Sequence, residues 1–379
     1  MSQQYSCDSF FSTFTTYVVF ETSTARTLMK NALRLFLLIS FAATTLIGNK
    51  AFAQGCVAAH SNQRPMDQLI KSDGGGAWNG FSIHNLTVNI GYRVFNSNKY
   101  FIGDDEIARP TAVENHQNIF DIGLEYRVSP RWSVIADIPV YNGTRNQIYA
   151  PSGIYQVSGI GDVTIGAQAW IFRPPTENGG NVAVSLSLKM PTGIDGATGS
   201  ALYKGQIIKA TADPSLQPGD GGWGFVVGSQ AYKTLWRGSD LYAQGQYLFN
   251  PMDTNGVASF RSQPGQSIDS VTDQYLFRTG IAQGVPRVRS LAFSIGVRAE
   301  GVPVRDLIGN SDGFRRPGAI ISLDPGVMYN FRRTVISVNG PWALYRNRPP
   351  SVPELENNTK NGDAFFADYT VIASISHQF

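Results

Sequence analysis

From residue 84 onward, apolar and polar positions alternate along the chain. Leu86, Val88, Ile90, Tyr92 and Val94 share one phase, and Asn85, Thr87, Asn89, Gly91 and Arg93 share the other, which is the two-residue period of a β-strand with unlike faces. A second run sets Phe120, Ile122, Leu124, Tyr126 and Val128 against Asp121, Gly123, Glu125 and Arg127. After the tight turn predicted at Ser129-Pro130-Arg131, a third sets Trp132, Val134, Ala136, Ile138 and Val140 against Ser133, Asp137 and Tyr141. The same pattern predicts strands near 160–172, 181–190, 223–233, 240–250, 273–283, 290–300, 319–331, 334–344 and 364–379, twelve strands in all.

The connections between these runs alternate in length. Those at 97–117, 142–158, 191–222, 251–272, 301–318 and 345–363 are long and rich in Gly, Pro, Asp and Asn, while Ser129–Arg131, Arg173–Gly180, Gly284–Arg289 and Arg332–Arg333 are short. An even strand count, short turns at one end and long loops at the other predict an all-β fold, a transmembrane antiparallel barrel of the outer-membrane type spanning 81–379. Such a barrel has to close, because no backbone group in lipid can go unpaired. The alternating end "TVIASISHQF" therefore reads as a strand that pairs with the first. A soluble β-sandwich also alternates, but its strands are usually about five or six residues long.

Composition agrees with a chain short of surface charge. Charged residues are 16% of the 379, glycines number 39 and aromatics reach 12%, whereas soluble domains carry roughly 25% charged residues. The net charge of +3 forms no basic stripe, so nucleic acid is not an expected partner. The two cysteines, Cys7 and Cys56, supply neither a disulfide framework nor a thiolate metal site, and no cofactor or metal is expected.

One segment breaks the β pattern. Lys30 and Arg34 precede an apolar run from Leu35 to Gly48, followed by Ala51-Phe52-Ala53, the three parts of an export signal cut before Gln54. The run is shorter than the roughly 20 residues that a membrane-spanning helix needs. Residues 29–53 are therefore expected to be a cleaved signal, with 1–28 a non-native extension upstream of Met29 and 54–80 a periplasmic tether or small plug. Lipidation of Cys56 is a second reading of the same stretch.

Charge facing lipid near the midplane costs roughly 2–4 kcal/mol for Arg or Lys, which turns the polar faces inward. The candidate lumen-lining residues are then Arg93, Asp121, Glu125, Arg127, Asp137, Asp162, Lys189, Arg278, Arg298, Glu300, Asp324 and Asp368. Two readings of this mixed set stand open: charges that tune a pore, or a network that fills and stiffens a narrow barrel. Asp162, in a Gly-Ile-Gly-Asp step, is expected to hydrogen-bond a neighbouring strand rather than to bind Ca²⁺. Tyr126, Trp132, Trp170, Phe172, Tyr329 and Phe331 lie beside the short turns and are expected to form an interfacial girdle.

Three further segments carry a family resemblance. "GIGDVTIGAQAWIF" (159–172), "VAVSLSLKMPTGIDG" (182–196) and "QPGDGGWGFVVG" (217–228) together resemble the outer-membrane family called the putative meta-pathway of phenol degradation proteins. The resemblance implies a Gram-negative outer-membrane barrel, embedded in lipid, that admits small hydrophobic or aromatic solutes; it implies no defined set of functional residues. The final His377-Gln378-Phe379 resembles the signal read by the barrel-assembly machinery, with Phe379 as its aromatic end. The expected function is passive solute uptake. The alternatives are a closed structural or adhesive barrel and an outer-membrane lipid-modifying enzyme, which is not favoured. Only His60, His84, His116 and His377 are present, and no catalytic motif surrounds them. "SDGGGAWNG" lacks the Lys-Ser/Thr of a phosphate loop.

Overall fold

The computed structural model describes residues 82–108, 113–148, 151–173, 179–236, 238–359 and 363–379. The predicted extension, signal and tether, with Cys7 and Cys56, lie outside the described residues. Twelve antiparallel strands form one sheet that closes on itself. The first six are β1 (Leu86–Ser97), β2 (Glu114–Arg127), β3 (Trp132–Gln147), β4 (Gly153–Ile160 continued by Thr164–Trp170), β5 (Gly180–Lys189) and β6 (Gly224–Trp236). The others are β7 (Ser239–Phe249), β8 (Gln274–Val285), β9 (Val288–Val302), β10 (Gly318–Leu323 and Gly326–Phe331), β11 (Thr334–Asn339 and Trp342–Asn347) and β12 (Val371–Gln378). Each pairs with its sequence neighbour, and β12 pairs with β1 from Thr87↔Gln378 to Val94↔Val371. Closure leaves no free edge, the condition for a sheet in lipid.

The period-2 reading sets the two faces. Ile90, Phe120, Ile122, Leu186, Phe277, Ile295, Ile336 and Ile375 are exposed on the outside, while Asn89, Arg93, Asp121, Gln168, Ser187, Arg298 and Ser374 are buried inside. Exposed isoleucines and phenylalanines circling a closed sheet are a lipid-facing belt. The chain is thus a transmembrane barrel whose apolar surface faces outward and whose core is polar.

Three strands are interrupted. β4 breaks at 161–163, β10 at Asp324-Pro325 and β11 at Gly340-Pro341. Proline gives the ladder no N–H, and at β10 the chain is carried past the gap by reciprocal bonds between Asp324 and Gly296 of 2.8 and 3.2 Å.

Several expected boundaries move. The segment 142–158 is mostly strand, because Asn142 to Gln147 pair with Gly153 to Ser158. Asn142 to Gln147 are polar on both faces, so no alternation marks them, and the short run Ile154, Tyr155 and Val157 opposite is too brief to stand out. The last strand starts at Val371, and Asp363–Phe366 instead pairs with Lys99–Ile102 in a small separate sheet. The other long loops also carry structure: a hairpin of Thr198–Tyr203 with Gln206–Thr211, a second of Thr254–Ala258 with Ile268–Ser270, and a helical turn at Val352–Glu356.

Candidate functional site: a polar lumen and its outer vestibule

The sequence-predicted charges fall into two groups inside the barrel. On one side, Arg93 of β1 interacts electrostatically with Asp121 of β2, Asp137 of β3, and Arg298 and Glu300 of β9, across the lumen from its own strand. Arg298 also donates to Glu300 at 2.7 Å. Beside them Arg278 meets Asp324 at 3.0 Å, lies over the Tyr242 ring at 5.1 Å, and shares Asp324 with Asn339. Opposite charges drawn from several strands neutralise one another here, and burying them in pairs avoids the cost of an isolated charge in a low dielectric.

The second group is built by the three family-like segments. Asp162, in the break of β4, accepts hydrogen bonds from the backbone N–H of Gly193 at 3.0 Å and of Asp220 at 3.1 Å. Lys189, at the end of β5, reaches Asp162 at 3.4 Å and also ion-pairs with Asp220. The Thr192 hydroxyl donates to the Gly161 carbonyl at 3.0 Å and accepts from Val163 N–H at 2.9 Å. Glycine is required at the centre: a Cβ on Gly193 would stand 2.7 Å from Gly219 Cα and 2.9 Å from Gly161 C. The expectation that Asp162 serves hydrogen bonding agrees with this geometry.

Glu125 is buried on the inner face of β2, and Arg127 lies nearer the short-turn end and is partly buried. Asp368 departs from its expected place. It precedes β12, outside the spanning strand, and pairs with Arg346 of β11. Trp170 also departs: only 3% exposed, it packs edge-on against Tyr232 inside the barrel. Its phase is that of Gln168, so it belongs to the inner face. Trp132, Phe172, Tyr329 and Phe331 are exposed as a girdle requires, and Trp236 joins them. Tyr126 accepts the Ser82 N–H at 3.2 Å. At the same rim Phe379 stacks edge-on against His377, and Arg333 lies 3.4 Å from His84.

Two cavities run beside the charged groups. The outer one, about 140 Å³ and open to solvent, is lined by the Lys189 group and by loop residues including Asp195, Asp213, Asp269, Phe314 and Arg316. The inner one, about 130 Å³, is lined mainly by uncharged polar side chains such as Gln168, Ser187, Gln230, Gln244 and Gln246. Both are lined by Asp137, Thr164 and Val226, so they adjoin along the side of the barrel made by β3 to β8.

The vestibule residues from the loops escaped sequence reasoning, since loops carry no period to place them. Asp213 binds Arg145 at 3.4 Å and Arg316 at 2.6 Å. Burial alone would raise its carboxyl, but these two guanidinium groups and the hydrogen bonds from Ser215 outweigh it and hold the group well below the ordinary carboxylate range. Arg315 pairs with Asp306 and donates to the Ser270 hydroxyl at 2.7 Å. Arg348 grips Glu354, which in turn accepts from Ser351 N–H and caps the helical turn.

A closed twelve-strand barrel with an apolar belt, a polar interior and loops folded over one mouth defines an outer-membrane barrel. The sequence matches no family model and no curated protein. Among solved structures, the chain is similar to the COG4313 outer membrane channel from Pseudomonas putida F1, with 12% identity over 80% of this chain and 99% of that one, at a TM-score of 0.55. It is more distantly similar to the Pseudomonas putida toluene transporter TodX, at 10% identity, 87% and 96% coverage and a TM-score of 0.40. The first likeness establishes the barrel fold.

Proposed function

We propose that this protein is a passive outer-membrane channel for small solutes with apolar or aromatic bodies. The observation that carries the reading is the pair of adjoining cavities along β3 to β8, which share Asp137, Thr164 and Val226. The charged group around Arg93, Arg278 and Arg298 lies beside these cavities, and the inner cavity is walled mainly by Gln and Ser toward the short-turn end. Arg93, Asp121, Arg298 and Glu300 act mainly to neutralise one another and brace the barrel wall, while Asp137, Asp162 and Lys189 border the passage. The preference for aromatic solutes rests on the resemblance of 159–172, 182–196 and 217–228 to the phenol-degradation family; the P. putida F1 protein of the same fold is described as an outer membrane channel. We assign Phe379, exposed at the short-turn rim, to recognition by the assembly machinery, and residues 29–53 to export.

The test is flux. Purified barrel reconstituted in liposomes should pass phenol-sized neutral solutes faster than empty liposomes, and a strain lacking the protein should take them up more slowly. Silent planar bilayers together with no solute flux would instead favour a closed barrel that displays its loops.

A further inference from the structure

The vestibule contains a buried carboxylate that accepts no hydrogen bond. Asp269 lies on the Ile268–Ser270 strand of the second loop hairpin, is 2% exposed, and lines the outer cavity, yet neither of its carboxylate oxygens has a hydrogen-bond partner. Arg316 acts on it through charge without a hydrogen bond. Arg316 is committed to Asp213 and lies over the Phe314 ring at 5.3 Å, and Arg315 is committed to Asp306 and Ser270. A buried acceptor without a donor is costly and marks a position where a ligand supplies the missing group.

Resting on the channel reading, we propose that Asp269 is the recognition point for a protonated amine, and that the vestibule selects solutes carrying an ammonium group on an apolar body. Several observations fix this ligand class. Acidic side chains outnumber basic ones around the cavity, and Asp195 adds a second carboxylate near Asp269. Among the described residues, no group of three or more His, Cys, Asp or Glu is placed to hold a metal ion, so a divalent cation finds too few ligands. An ammonium needs only one carboxylate and hydrogen-bond acceptors around it. The remaining surface suits the rest of such a molecule, since Val226, Leu248, Val302 and Phe314 line the same cavity.

Burial, with Asp213 and Asp195 nearby and only Arg316 opposing them, pushes the Asp269 carboxyl up to about 7. The empty site therefore holds a proton under mildly acid conditions, and an ammonium ligand competes with that proton. The other charged groups around the hairpin, Arg315, Asp306 and Asp253, are already tied to partners.

The experiment compares phenethylamine with 2-phenylethanol, equal in ring and chain, by calorimetric titration of the full-length detergent-solubilised barrel and by liposome flux. A charge-assisted hydrogen bond is worth about 1.5–3 kcal/mol, so the wild type should bind the amine at least about tenfold more tightly than the alcohol. The preference should weaken as pH falls below about 7, and Asp269→Asn should abolish it. Equal affinity of the two compounds for the wild type, or an undiminished preference in a folded Asp269→Asn barrel, overturns the proposal. The wild-type comparison decides even if the variant does not fold. Amine binding without any flux leaves the site standing and removes the channel reading; equal flux of both compounds with no binding preference does the reverse.

Discussion

Asp213 and Asp269 share one cavity and have opposite electrostatic fates. Arg145 and Arg316 outweigh burial at Asp213 and hold its carboxyl below the ordinary range near 3.9. The stabilisation from a depressed carboxyl is complete above the unfolded value and is lost only as pH falls through the folded one. The clamp on the 191–222 loop is therefore still charged at about pH 3. Pepsin at that pH should leave this loop intact in the wild type and cut it in Asp213→Asn; equal cleavage of both would show that the clamp does not hold the loop. Asp269 runs the other way. Its raised carboxyl makes wild-type stability fall as pH rises from the unfolded value near 3.9 to about 7, so the advantage of Asp269→Asn should grow over that window and be complete above about pH 7 in the absence of ligand. Lys189 is a third case, buried between Asp162 and Asp220. Removing one partner of a buried ionic group costs about 3–5 kcal/mol, and Lys189→Met should lower the urea midpoint of the barrel accordingly. The inward phase of Lys189 was legible from alternation, because a one-residue slip turns every side chain to the wrong face. Its partner Asp220 was not, since it sits in a glycine-rich loop where no period applies.

At the scale of the element, the break in β4 is held by close backbone packing as well as by the Asp162 and Thr192 side chains. Gly161, Gly193 and Gly219 come from segments far apart in sequence and touch through atoms that any Cβ would displace. Gly193→Ala should cost about 1–3 kcal/mol by overpacking, read as a lower denaturation midpoint or as loss of the heat-modifiable band on electrophoresis. Gly340→Ala is the control, because a Cβ there meets nothing within 4 Å. A Gly193→Ala barrel as stable as the Gly340→Ala one would sink this account. The three segments drew attention in the sequence through their glycine spacing, but that spacing shows only that small residues are needed, not which backbone they meet. Trp170 is buried for a related reason: strand phase, which it shares with Gln168, decides its face, and proximity to a turn does not. Asn142 to Gln147 mark the converse limit, since strand rising above the membrane no longer needs an apolar face.

For the whole molecule, the interior is asymmetric. Twelve strands and a lipid belt were legible because lipid imposes one rule on every outward position, whereas the course of a passage depends on how paired charges and infolded loops share the lumen. The charges from β1, β2, β8, β9 and β10 compensate one another, and the two cavities run beside them along β3 to β8, meeting where both are lined by Val226. If solute moves there, a bulky side chain at that junction has to obstruct it. Val226 and Val227 are adjacent on β6 but point to opposite faces; Val227 is exposed on the lipid side, and Val226 lines both cavities. Val226→Trp should lower single-channel conductance and slow phenol-sized flux. Val227→Trp adds the same ring to the outer surface, where apolar bulk is tolerated, and should leave both at the wild-type level. If the two variants conduct alike, the passage does not run along β6, and solute must cross among the charged pairs.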